Sequence, residues 1–316
     1  MDALDRLIDL SRLQGALDLR CLLGGEWELD HPHAPVGEAT YHVVLSGQCT
    51  LRLRGQTDVS LEAGDIAMLP HGDAHVLVNH AAAANASRST GSPATTLPPA
   101  GEMQSRHNGV VTVRSNTPES AATLDLLCGR FTYANKALLM DVLPGLVKSS
   151  FASAEVPDLA HLVGMMRRES SDAGAGAHSI VSALSTALFT LVLRAYLAQQ
   201  PSTTDILALL SNPRLGPSVI AMLERPAEKW TIEMLAQQSA MSRATYMRAF
   251  SALTTDSPMG LLGRIRMQLA GSLLVRSAKS IGEIADDVGY QSESAFSRKF
   301  KDAYGVGPGQ FRQARD

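Results

Sequence analysis

Ile284-Ala285-Asp286-Asp287-Val288-Gly289-Tyr290-Gln291-Ser292-Glu293-Ser294-Ala295-Phe296-Ser297-Arg298-Lys299-Phe300-Lys301 decides how the last third of the chain folds. A short apolar-periodic stretch stops at a glycine. A serine then stands where a helix N-cap belongs, and phenylalanines follow four residues apart. An earlier stretch repeats the pattern. Leu235-Ala236, Met241-Ser242, Tyr246, Arg248 and Phe250 match Ile284-Ala285, Gln291-Ser292, Phe296, Arg298 and Phe300. The offset is 49 residues before the turn and 50 after it, so one turn is a residue longer. Each copy is a short helix, a tight turn and a second helix, the helix-turn-helix pattern.

The second helix of each copy divides into two faces. Tyr246, Phe250 and Leu253 hold the first to its partner helix, leaving Arg243, Ala244, Met247, Arg248 and Ser251 outward. Phe296 and Phe300 hold the second, leaving Glu293, Ser294, Ser297, Arg298 and Lys301 outward. A reader of the major groove needs short residues near its N-terminus and a guanidinium able to grip a guanine edge with two hydrogen bonds. Between the copies, Met259 to Val275 is a continuous helical run carrying Arg264 and Arg266, a stiff spacer that would set the two readers roughly one duplex turn apart. Charge agrees. The chain carries −3 overall, but 213–316 carries +4 and the rest −7. The partner predicted for this end is double-stranded DNA.

The run from Ile284 through Gly305, Pro308, Phe311 and Arg312 resembles the signature of AraC/XylS-family transcription regulators, and the resemblance covers about 212–315. It implies a sequence-specific regulator, most often an activator that contacts RNA polymerase. Matched position by position, its base-reading positions fall on Ala244, Met247 and Arg248 in the first helix and on Glu293, Ser294 and Arg298 in the second.

Working back toward the amino terminus, short alternating or β-branched runs between Tyr41 and Asn79 are punctuated by Gly47, Gly55 and Gly64, which predicts a small barrel or sandwich. Gly64-x5-Pro70-x-Gly72-x2-His75-x3-Asn79 matches the second cupin motif, and Gly25-x5-His31-x-His33-x4-Glu38 resembles the start of the first. His31 and His33 share a strand face by their spacing, and His42 and His75 are placed to point inward on adjacent strands. Such a histidine cluster suits zinc or another transition metal, with His42 and His75 the firmest ligands and His31, His33 and Cys21 candidates. A hydrogen-bonded core histidine without metal is the competing reading.

Met1 to Leu7 with Gly15, then Cys21-x-Leu23-Gly24-x-x-Trp27, resembles AraC-type regulators with a cupin sensor that respond to reactive chlorine species. That resemblance implies cysteine oxidation as the input, with Cys21 as sensor. Cys128 is the plausible partner thiol. Such sensors typically use a cysteine a few residues earlier on that strand, where this sequence has Asp125. A buried structural thiol is an equal reading of Cys21, while Cys49, alternating with Leu51 and Leu53, reads as core.

The whole is an α+β chain: a cupin β-barrel with a helical bundle, then an all-α domain with two helix-turn-helix motifs. The expected divisions are 1–136 for the sensor with a mobile, Ala/Ser/Thr/Pro-rich insertion at 81–120, 137–200 for a bundle, 201–212 for a polar linker, and 213–316 for DNA binding. Helical spacing predicts helices over Leu138–Val147, Leu159–Glu169 and Ser179–Ala198. The stripe Ile180, Leu184, Leu188, Leu191 and Val192 suits core packing or a homodimer equally. The uncharged stretch from Ala173 to Leu193 is dense in apolar residues only over its last fourteen, which suits a core helix better than a bilayer span. The chain reads as cytoplasmic, with no membrane partner. Two other functions compete with the redox reading: a cupin that binds a small-molecule effector, and a metal-dependent cupin enzyme. Nothing supplies a positioned general base beyond the histidines, so an enzyme is not expected.

Overall fold

A computed structural model describes residues 3–79, 102–151, 157–171, 174–199 and 205–313. In chain order the elements are α1 (Ala3–Ser11), β1 (Gln14–Leu23), β2 (Trp27–His31), β3 (Glu38–Ser46), β4 (Gln48–Leu53), β5 (Val59–Glu62), β6 (Asp65–Leu69), β7 (His75–Asn79), β8 (Gln104–His107), β9 (Thr112–Ser115), β10 (Leu124–Thr132), α2 (Leu138–Asp141), β11 (Val147–Ser150), α3 (Pro157–Ser171), α4 (Ala177–Gln199), α5 (Asp205–Ser211), α6 (Gly216–Glu224), α7 (Ile232–Gln238), α8 (Arg243–Ser251), α9 (Pro258–Arg276), α10 (Ile281–Asp287), α11 (Glu293–Tyr304) and α12 (Pro308–Gln313). They form two compact units. One comprises 14–132 and 144–199, the other 1–13, 133–143 and 200–316.

The first unit is built on two sheets, one ordered β11-β6-β3-β10-β1-β9-β8 and the other β2-β7-β4-β5. The alternation in Gln48-Cys49-Thr50-Leu51-Arg52-Leu53 puts Cys49, Leu51 and Leu53 inside, as expected of a half-buried strand. They join Leu23, Val44, Leu61, Leu77 and Leu126 in one apolar core. Helix α4 lies on β1. Gly15 makes that approach possible, because a Cβ there would run into the Ser185 backbone. Instead the Gly15 N–H donates to Thr186 Oγ1 at 2.9 Å. By length and composition α4 could cross a membrane, but Val181, Leu188, Phe189, Val192 and Leu193 are spent on the core. The predicted stripe therefore splits: Leu188 and Val192 face inward, while Ile180 is 44% exposed.

The second unit holds both helix-turn-helix copies, α7–α8 and α10–α11, with α9 between them. Each predicted cap is present. Ser242 Oγ accepts from Thr245 N–H at 3.3 Å, and Ser292 Oγ accepts from Ala295 N–H at 3.2 Å. Tyr246, Phe250, Phe296 and Phe300 are completely buried, so the aromatic pairs anchor the reading helices as their spacing requires. Ser257 caps α9, which extends the predicted Met259–Val275 by one residue at each end and spans about 28 Å at ~1.5 Å per residue.

Four expectations change. Helix α2 stops at Asp141, because Pro144 and Gly145 interrupt it. Val147 to Ser150 pairs instead with β6, Val147 and Ser149 inward and Lys148 outward. Within the expected insertion at 81–120, residues 81–101 lie outside the described residues; β9 falls where the sequence allows a strand at Val110 to Arg114 and runs parallel to β1, and β8 is a strand that the sequence did not suggest. Within the expected linker at 201–212, residues 201–204 lie outside the described residues. Asp205 to Ser211 is helical because Ile206, Leu207, Ala208 and Leu209 are buried. Finally, 1–13 and 133–143 belong to the helical unit rather than to a sensor at 1–136. The reason is polar as well as apolar. Gln268, 1% exposed, donates to the Leu10 carbonyl at 2.9 Å and accepts from Leu138 N–H at 3.1 Å.

Candidate functional sites: two reading faces and a sulfur–imidazole core

In the helical unit the residues named from the sequence stand where their faces place them. Arg243, Ala244, Arg248, Glu293, Ser294, Arg298 and Lys301 are exposed and Met247 is half-buried. Arg243 pairs with Glu233 at 3.0 Å, and Arg248 Nε reaches the Ala244 carbonyl at 3.4 Å. The arginines of the spacer behave differently. Arg264 pairs with Asp141 and Asp256, and Arg266 donates to the Pro226 and Glu228 carbonyls, so both brace the unit.

In the sheet unit, register gathers the chemistry. His31 on β2 lies directly opposite His75 on β7, and His42 on β3 directly opposite Cys128 on β10. Directly opposed residues share a face. The two pairs come from different sheets and meet between them. The ring of His31 stacks on that of His75 at 4.7 Å and stands edge-on to His42 at 4.9 Å. His42 Nε2 lies 2.7 Å from His75 Nε2, and His42 Nδ1 lies 3.2 Å from Cys128 Sγ. His31 Nε2 is buried with no partner among the described residues. His33, a candidate ligand from the sequence, is not part of this group. Its strand ends at His31, and its ring is exposed with Nδ1 on the Ala34 carbonyl at 2.8 Å. Strand periodicity had paired it with His31, but the strand does not extend that far.

Burial keeps these imidazoles neutral. Desolvation pushes His42 well below its ordinary value, lowers His75 and brings His31 to about 4. Neutrality then fixes the tautomers. A carbonyl only accepts, so His75 Nδ1, 2.8 Å from the Asp73 carbonyl, carries the proton. His75 Nε2 is therefore an acceptor, and His42 Nε2–H donates to it. That leaves His42 Nδ1 as a bare lone pair facing Cys128 Sγ. Asp73 was not singled out from the sequence; it sits two residues before the motif histidine.

Cys21 and Cys128 complete the group. Cys21 pairs with Leu126, and Cys128 with Leu19, so the two sulfurs are diagonal neighbours on one face of the β1–β10 ladder. The two thiols interact, and the effect on each is opposite. The Cys128 thiol lowers Cys21 first of all, and the charge of Arg114, which is opposite Cys21 on β9, assists against burial. The Cys21 thiol, with burial, lifts Cys128 well above the ordinary thiol range. Of the two, Cys21 is shifted toward the thiolate and Cys128 away from it. All three cysteines are free and buried, Cys21 fully so. Burial pushes Cys49 up to about 12, which fits a core role. Asp125 is held by two hydrogen bonds from Arg20, at 2.9 and 2.8 Å.

A cupin family matches residues 2–198, and a helix-turn-helix domain family matches 235–314. The HTH-type transcriptional regulator MtrA of Neisseria gonorrhoeae is 34% identical over 316 residues, covering 99% of this chain and 98% of MtrA. The chain is an AraC-family transcription regulator with a cupin domain. The RCS-specific HTH-type transcriptional activator RclR of Escherichia coli is 28% identical over 318 residues, covering 99% of this chain and 98% of RclR. Among solved structures, the DNA-binding domain of AdpA in complex with a target DNA is 33% identical, covering 33% of this chain and 93% of that one, with a TM-score of 0.32. As an AraC-family member the regulator binds DNA through its helix-turn-helix domain. Its relatives are named as regulators of transcription rather than enzymes.

Proposed function

We propose that the regulator is a transcription activator switched by oxidation of Cys21 by reactive chlorine species. The observation that carries this reading is the placement of the thiol pair: Cys21 and Cys128 are diagonal neighbours on one face of the β1–β10 ladder, with Arg114 opposite Cys21 and His42 Nδ1 3.2 Å from Cys128 Sγ. Full burial of Cys21 selects a small uncharged oxidant such as hypochlorous acid. The Cys21 sulfur attacks chlorine, forming S–Cl and releasing hydroxide. Cys128 sulfur then attacks Cys21 sulfur and chloride leaves. The Cys128 proton passes to His42 Nδ1, 3.2 Å away. In total two thiols and one hypochlorous acid give a disulfide, water, chloride and a proton.

Diagonal strand neighbours have Cβ atoms near 7 Å apart, whereas a disulfide needs roughly 4 Å. Oxidation must therefore pull β1 and β10 together, and β10 also carries β3 and its histidine. A local bond thus biases the sheet between two arrangements. On the output side, Arg248 and Arg298 each grip a guanine, Ala244 and Met247 pack on thymine methyls, Glu293 and Ser294 read base edges, and Arg243 and Lys301 hold phosphates. Contact with RNA polymerase, and a homodimer using the exposed side of α4, belong to the same proposal.

The test is promoter binding and in vitro transcription with the full chain before and after one equivalent of hypochlorous acid. The parent is expected to respond and to form a Cys21–Cys128 crosslink by mass spectrometry. If Cys21→Ser responds like the parent, the redox reading is wrong. A response only to members of a metabolite panel would instead favour a small-molecule effector.

A further inference from the structure

His31, His42 and Cys128 each offer one ligand atom, and those three atoms lie within 4.8 Å of one another in the interior between the two sheets. We propose that they form a metal site for a d10 cation, zinc(II) or copper(I), distinct in donor set from an all-histidine or histidine–carboxylate centre. The site shares Cys128 with the oxidation reading above but does not depend on it.

Three observations converge. The first is the donor set itself. Two imidazoles and one sulfur are borderline-to-soft ligands and contain no carboxylate, which disfavours magnesium, calcium and manganese. The second is the orphan: a buried His31 Nε2 with no hydrogen-bond partner among the described residues leaves a ligating atom uncompensated. The third is orientation. Ligating histidines usually donate their other N–H to an acceptor behind them, which fixes the tautomer. His42 does so through Nε2–H to His75 Nε2 at 2.7 Å, and His75 is itself held by the Asp73 carbonyl at 2.8 Å. The relay aims the His42 Nδ1 lone pair at the Cys128 sulfur. His75, a firm ligand by its motif position, is therefore the residue that orients a ligand.

Binding replaces the proton on Cys128 sulfur with the metal, so one proton leaves for each cation bound. The metal-bound sulfur cannot at the same time attack Cys21. Occupancy and disulfide formation therefore exclude each other, and oxidation of the thiol pair expels the cation.

The experiment uses the full chain after chelation and dialysis, titrated separately with zinc(II), copper(I) under reducing anaerobic conditions, and cobalt(II) as a spectroscopic stand-in for zinc. One cation per chain is expected by native mass spectrometry for zinc or for copper, which decides between them. The cobalt adduct is expected to show both tetrahedral d–d bands and thiolate charge-transfer absorption. Cobalt d–d bands without charge transfer, or no stoichiometric binding of any of the three, overturns the proposal without recourse to variants. His31→Ala and Cys128→Ser are expected to lose the site, and His75→Ala to weaken it about tenfold to a hundredfold. His33→Ala is expected to bind like the parent. Unchanged binding in both His31→Ala and Cys128→Ser, checked for native circular dichroism, also overturns it. Cys21→Ser separates the two ideas: metal retained with the oxidant response lost supports both, and metal retained with the response intact sinks the redox reading alone.

Discussion

The two helix-turn-helix copies share a fold, a serine cap and a buried aromatic pair, and differ in the devices around them. In the first copy Tyr246 and Phe250 form the only ring–ring contact among the described residues, and the Tyr246 hydroxyl meets Ser218 Oγ at 3.2 Å. In the second, Phe296 and Phe300 extend through Tyr290, Tyr304 and Phe311 into a continuous ring cluster. The first turn passes through Ala240 at φ 49°, and the second through Gly289 at φ 82°. Helix α7 has a single Thr231 cap, whereas α10 has a full capping box between Ser280 and Glu283. The second copy is the better-built of the two. The first is held together with fewer devices and presents the more apolar face, through Ala244 and Met247. Duplication thus preserved the scaffold while stability and reading chemistry moved apart.

The largest test of that contrast is truncation of the buried rings. Phe300→Ala is expected to cost about 3–5 kcal/mol in urea unfolding, and Phe250→Ala less, because it abandons fewer ring partners. Equal losses would break the comparison. Next come the reading arginines. Arg298→Ala is expected to weaken binding to a specific promoter by about 1–3 kcal/mol and to relax preference at one base pair. Lys301→Ala should instead lower affinity evenly across sequences and reduce the salt slope by about 1. Competition binding over single-base variants at several salt concentrations reads both.

Smaller effects lie in the turns. Gly289→Ala is expected to cost at least about 1–2 kcal/mol, since a Cβ there is strained by its left-handed backbone and would also crowd the Ala227 carbonyl. Ala240→Gly should do the reverse and stabilise by about 0.5–1 kcal/mol, by relieving that strain at the equivalent place. A thermal shift of opposite sign for the two substitutions sharpens the comparison; a shift of the same sign defeats it.

What the amino-acid order revealed follows how local each cause is. Caps, aromatic spacing and the lengthened turn are set within a dozen residues, so both copies were legible, and so was the alternation that buries Cys49. The strand at Val147–Ser150 was not, because four residues beside a proline carry too little periodicity to outweigh a helical stretch before them. His31 and His33 have equal claims on a period of two. Only the end of β2 separates them, and that end is fixed by pairing with β7. The relay from Asp73 to His42 needed two sheets to face each other and bring together strands more than thirty residues apart, which no spacing along the chain encodes.

The side-chain amide of Gln268 carries a practical lesson for dissecting this regulator. It ties α9 to backbone groups at Leu10 and Leu138, positions far upstream of the last hundred residues. A fragment cut to begin after residue 200 would strand that amide in an apolar wall and bare the surface that α1 and α2 cover. Such an excised reading head would be a wounded piece rather than a free-standing one, and its solubility would say little about the intact protein.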